Sequence, residues 1–137
     1  LEEDVRILMQ QPWTIIASDG TITGFDAGQG HPRSRGTFPR VLGRYVREWN
    51  VLTLEDAVRK MTSLPAKYLR MRYRGVLAKG FVADLVIFNP DTVIDRSTWA
   101  EPSLFSEGIV HVLVNGNFAL KNGKMTFETN GQYLPRD

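Results

Sequence analysis

Thr14-Ile15-Ile16-Ala17-Ser18-Asp19-Gly20 is a short apolar run that stops on a carboxylate. β-branched and small apolar residues in succession suit a strand covered on both faces, and Ser18-Asp19-Gly20 breaks it with a polar turn. Asp19 then stands at the carboxyl end of the strand, the place where α/β sheets and barrels display reactive side chains. The plainer alternative is that Asp-Gly is only a turn dipeptide at the exit of the strand.

Working outward, Glu2, Glu3 and Asp4 put negative charge at the start of a helix, and Val5, Leu8 and Met9 recur at helical spacing until Pro12 stops it. Helix followed at once by buried strand is the α/β repeat of a barrel's last units. Downstream, Gly20 to Phe38 is punctuated by Gly24, Gly28, Gly30 and Gly36 and reads as one long loop. Pro39 suits the first turn of a second helix with the apolar stripe Val41, Leu42, Tyr45, Val46 and Trp49. Thr53 caps a third helix bearing Leu54, Ala57, Val58 and Met61, and a short fourth runs from about Pro65 to before Gly75.

After Gly75 the period changes from helical to alternating. Ala83 to Phe88 is a compact strand stopped by Asn89-Pro90-Asp91, and residues 91–108 are expected to be loop with a turn near Ser97-Thr98-Trp99. Asn115-Gly116 and Asn122-Gly123 are hairpin turns joining Ile109 to Val114, Phe118 to Lys121 and Met125 to Phe127 into a meander. Residues 1–74 are thus an α/β unit, 75–128 a β unit, and 129–137 a poorly ordered tail.

The 137 residues are 42% hydrophobic, enough for a packed core. A complete (β/α)₈ barrel takes about 250 residues, and the chain opens at Leu1 directly into a charged helix, so it is expected to be a fragment of a longer enzyme. A net charge of +2 implies no nucleic-acid or membrane partner. The basic cluster Lys67, Arg70, Arg72 and Arg74 reads as a solvated helix end. Without cysteine there is neither a disulfide nor a cysteine-ligated metal within these residues, and a cytoplasmic location is the default. Of the two histidines, His31 lacks the paired spacing of a zinc site and is read as shaping its loop, and His111 lies within an alternating strand and is read as structural.

Asp4-Val5-Arg6-Ile7-Leu8-Met9-Gln10-Gln11-Pro12, Ser18-Asp19-Gly20, His31-Pro32-Arg33, Gly36-Thr37-Phe38-Pro39-Arg40-Val41-Leu42-Gly43 and Met61-Thr62-Ser63-Leu64-Pro65-Ala66 resemble the last third of N-acyl-D-amino-acid deacylases, members of the amidohydrolase superfamily. The later Arg74-Gly75-Val76-Leu77, Gly80, Ala83-Asp84-Leu85-Val86-Ile87-Phe88 and Val112-Leu113-Val114-Asn115-Gly116 are similar to the closing segment of amidohydrolases at large. The resemblance implies the last strand and helix units of a (β/α)₈ barrel followed by part of a β-sandwich. It implies an intact enzyme that uses Zn²⁺ to cleave N-acyl-D-amino acids. In it, Asp19 would be the acidic residue after the last barrel strand, touching the metal site and shuttling the proton, and Arg33 would pair with the substrate's α-carboxylate. A guanidinium fork matches a carboxylate, as that role needs.

The remaining metal ligands of the family would lie before Leu1. The fragment alone is therefore expected to hold no catalytic zinc, to be inactive, and to self-associate through apolar faces left without partners. Two other readings stand beside this one. A cyclic-amide amidohydrolase of the dihydroorotase or hydantoinase kind would share Asp19 and the β tail, and a non-catalytic structural or interaction domain would suit the meander.

Overall fold

The structure is a computed structural model, and it describes residues 1–21 and 30–134. Helix α1, Glu2–Gln10, ends as expected ahead of Pro12, with Met9 buried. Residues 14–18 then depart from expectation, because they form no strand. A buried parallel strand needs a ladder on each side, and this segment has no strand beside it among the described residues. It is held instead by α3. The Ile16 N–H donates to the Lys60 carbonyl (3.2 Å), and the fully buried Lys60 ammonium donates to the carbonyls of Gln11 and Thr14.

Helix α2, Arg33–Arg40, begins well before the expected start at Pro39, which shortens the loop and leaves Pro39 inside the helix. Proline has no N–H for the carbonyl four residues back. That carbonyl, Arg35, instead accepts a hydrogen bond from the Ser106 hydroxyl at 3.0 Å. Immediately after the lost rung the helix widens into a π-helix over Val41–Glu48, closed by the Trp49 N–H on the Arg44 carbonyl (2.9 Å). Its inner face supplies Val41, Leu42 and Tyr45 to the core.

Helix α3, Leu54–Met61, is capped as read from sequence, the Thr53 hydroxyl accepting from the Asp56 N–H (3.2 Å). Helix α4 is shorter than expected, Ser63–Tyr68. Lys67 in its last turn and Arg70 and Arg72 beyond it are exposed, whereas Arg74 pairs with Asp84.

Strands β1 (Leu85–Phe88), β2 (Ile109–Val114), β3 (Asn117–Lys121) and β4 (Lys124–Met125) form an antiparallel meander in that order. Both two-residue turns are of the type sequence demands: Asn115 and Gly116 have φ of 49° and 80°, Asn122 and Gly123 of 50° and 72°. His111 is structural, its Nδ1 accepting from the Asn122 N–H at 3.1 Å. Residues 129–134 have no regular structure, although the Asn130 carbonyl accepts from the Asn115 amide (2.7 Å), and the last three residues lie outside the described ones. One apolar cluster joins Met9, Val41, Leu42, Tyr45, Leu52 and Ala57 to Val93, with Phe88 and Ile109 packed on it, so the core crosses the 74/75 boundary. Among the described residues no helix is long and apolar enough to cross a membrane.

Candidate functional site

The N-terminus of α2 is where the two residues singled out in the sequence meet. Pro32 already has helical angles (φ −51°, ψ −30°), so the helix is set up at the His31-Pro32-Arg33 step. His31 shapes this loop: its Nδ1 accepts from the Arg33 N–H at 3.0 Å, and its carbonyl accepts from the Ser34 N–H at 2.9 Å. The Arg33 carbonyl receives the Ser18 hydroxyl (3.2 Å) and the Thr37 hydroxyl (2.9 Å). Gly20 lies directly on the first turn of α2, since an added Cβ there would stand 2.5 Å from the Ser34 Cα. The Ser18–Gly20 segment is therefore docked against α2 from both sides of Asp19.

Asp19 Oδ2 and Arg33 Nη2 are 3.0 Å apart, with side chains 90% and 46% exposed. An ion pair this solvated is worth well under about 1 kcal/mol. Either partner can exchange the other for an incoming charge at little cost, which suits a carboxylate that must reach a proton and a guanidinium that must reach a ligand. The intervening residues 22–29, including Gly24 and Gly28 of the expected loop, lie outside the described residues.

A second aromatic ring stands beside His31 at this corner. Trp99 stands edge-on to His31 with centroids 4.5 Å apart and planes at 65°. The sequence places it only in a turn, and nothing beside it distinguishes it from Phe105, the other aromatic residue of the same connection.

A zinc site takes three protein ligands or more. Among the described residues there is no group of three or more His, Asp or Glu placed to hold a metal. Of the candidates, Asp19 is engaged by Arg33, and His31 has one nitrogen occupied by the Arg33 N–H. The described donor set does not by itself fit a catalytic metal. A concavity of about 480 Å³ opens elsewhere, between the end of the π-helix and Pro90-Asp91, and neither Asp19 nor Arg33 lines it.

Residues 3–119 match the amidohydrolase family. The chain belongs to that family. It is 54% identical over 115 residues to an N-acyl-D-glutamate deacylase of Alcaligenes xylosoxydans xylosoxydans, a match covering 84% of this amidohydrolase chain and 23% of the relative. It is 41% identical over 135 residues to a D-aminoacylase of the same organism, covering 98% and 27%. Among solved structures, an N-acyl-D-glutamate deacylase of Bordetella bronchiseptica, complexed with zinc and a phosphonate mimic of the tetrahedral intermediate, superposes with a TM-score of 0.81 at 47% identity. That superposition covers 91% of this chain and 27% of the other. A D-aminoacylase variant in complex with copper chloride gives 0.91 at 40% identity, covering 99% and 28%. The amidohydrolase chain thus spans about a quarter of the length of the curated relatives it matches.

Proposed function

We propose that this chain is one part of a metal-dependent deacylase that cleaves the amide bond of N-acyl-D-amino acids to a carboxylate and a free D-amino acid. The observation that carries the reading is the Asp19–Arg33 pair at 3.0 Å on the first turn of α2, in a chain whose relatives are deacylases of acylated D-glutamate, D-aspartate and other D-amino acids. In this reading residues 1–74 are the end of the hydrolase barrel and 75–128 part of the adjoining β-sandwich.

Amide hydrolysis needs a proton taken from the attacking water and delivered to the leaving nitrogen, and a carboxylate does both if it stands beside the bond. Asp19 has that role: exposed, docked by Gly20 and Ser18, and held by a partner it can release. Arg33 takes the substrate's α-carboxylate through a charge-assisted fork. The zinc and copper held by solved relatives would take their other ligands in the intact enzyme from outside the described residues.

The test is made in the intact enzyme that contains this chain. Asp19→Asn is expected to lower kcat by about 10² to 10⁴, the usual contribution of a positioned acid–base group, with the melting temperature unchanged. Retention of full activity would remove Asp19 from the chemistry. As a separate polypeptide, the chain is expected to self-associate through the exposed Val86 and Ile87 of edge strand β1 and Ile7 and Leu8 of α1. A single monomer boundary in sedimentation at micromolar concentration would count against that.

A further inference from the structure

The connection between β1 and β2 follows a defined track along α2 and the π-helix, and the track ends at the candidate site. It begins where the Arg47 guanidinium donates to the carbonyls of Pro90 (3.0 Å) and Val93 (2.6 Å). Next, Arg40 pairs with Asp95 at 2.9 Å. Gly43 and Gly36, seven residues apart, let the connection lie against the helix: a Cβ on Gly43 would stand 2.5 Å from the Val93 carbonyl, and one on Gly36 would stand 3.0 Å from Ser97 Oγ. After Trp99 the chain returns, with Arg35 donating to the Ser103 carbonyl (2.8 Å) and Ser106 donating to the Arg35 carbonyl (3.0 Å).

The excursion therefore carries Trp99 to the first turn of α2 and sets it against His31. With 76% of its surface exposed, Trp99 is not placed there by burial. What its ring meets is the imidazole whose Nδ1 holds the Arg33 N–H.

We propose that Trp99 is a positioning residue for substrate recognition, holding the His31 ring so that the Arg33 peptide, and with it the guanidinium, is aimed at the substrate's α-carboxylate. The inference rests on the reading of Arg33 given above. The backbone of Arg33 is held at both its polar groups, by His31 at its N–H and by Ser18 and Thr37 at its carbonyl. The His31 grip is the one secured from the β half of the chain. Without the indole the imidazole can rotate, its nitrogen leaves the N–H, and the aim of Arg33 broadens.

The experiment uses the intact enzyme and two substrates, an N-acetyl-D-amino acid and its carboxamide, which lacks the charge Arg33 reads. Trp99→Ala is expected to raise KM for the acid by about three- to tenfold, the scale of one aromatic pair, with kcat within about twofold and the carboxamide unaffected. Trp99→Phe should restore most of the loss. Arg33→Met should abolish the preference for acid over carboxamide, and adding Trp99→Ala to it should change nothing further. Equal losses on both substrates, or an added loss in the Arg33→Met background, would overturn the proposal. So would wild-type selectivity in both Trp99→Ala and Trp99→Leu while Arg33→Met has lost it. If Arg33→Met itself keeps the preference, it is the reading of Arg33 that fails, and the role of Trp99 with it.

Discussion

Each end of α2 carries an arginine paired with an aspartate, at almost the same distance and in opposite surroundings. At the C-terminal end Arg40 meets Asp95 at 2.9 Å, and the Asp95 side chain is 6% exposed. At the N-terminal end Arg33 meets Asp19 at 3.0 Å, and Asp19 is almost wholly in water. Burial opposes the charge on Arg40, yet the hydrogen bond and charge of Asp95, joined by Tyr45, outweigh it and hold the guanidinium above its ordinary pKa. A buried carboxylate of that kind cannot lose its partner without leaving an uncompensated charge. The same two side chains thus make a fixed joint at one end of a helix and an exchangeable contact at the other. Distance does not distinguish them; solvation does.

The largest expected effect comes from disturbing the track that both ends share. Gly43→Ala would drive a Cβ into the Val93 carbonyl and Ile94, backbone that cannot swing away, for a loss of about 2–3 kcal/mol by overpacking. A urea midpoint unchanged from wild type would show that the connection is not seated there. Next is the buried joint: Arg40→Met strands Asp95, and because Arg40 is itself partly exposed the loss should be about 2 kcal/mol, short of the figure for a fully buried pair.

Ser106→Ala removes the hydrogen bond that its hydroxyl donates to the Arg35 carbonyl, and about 1 kcal/mol should go in thermal melting. Smaller again is a pH effect near the Arg40 joint. Burial first, and then the hydrogen bond to Glu2, push the Tyr45 phenol above its ordinary value against the pull of Arg40. An acid whose pKa is higher folded than unfolded contributes stability that is complete below the unfolded value, about 10 for a phenol, and is lost as pH rises through the folded one. Stability should therefore fall on the alkaline side of about pH 10, and Tyr45→Phe should flatten that slope. At the exposed end, Arg33→Met should change stability by less than about 0.5 kcal/mol. A loss matching that of Arg40→Met would erase the distinction between the two ends.

Local chemistry was legible where one side chain or one turn decides the backbone. Thr53 capped its helix, Pro12 ended α1, and the two Asn-Gly steps fixed both hairpins. The start of α2 differs from the expected one because two prolines compete for it; Pro32 stands there as the N-cap, and Pro39 lies inside the helix, where the Arg35 carbonyl accepts from Ser106, 67 residues beyond Pro39. The π-helix had no signal in the apolar stripe, which fits either period over two turns. The strand expected at Thr14 to Ala17 was a reading of composition, and strands are made by neighbours. At the site, Asp19 and Arg33 were marked by their motifs, whereas Trp99 was not, since nothing near it in sequence says which ring it will meet.

From the order of its residues alone follow the helical first half, the meander with its left-handed turns, the family to which the chain is similar, and the pair of charged residues worth watching. Folding in three dimensions decided which arginine would be locked and which left free, and which aromatic ring would stand behind His31. The physical reason is that capping and turn chemistry act over three or four neighbouring residues. The dielectric around a carboxylate, or the company of a ring, is set by segments that lie far apart in the chain, as His31 and Trp99 do, and that only packing brings together.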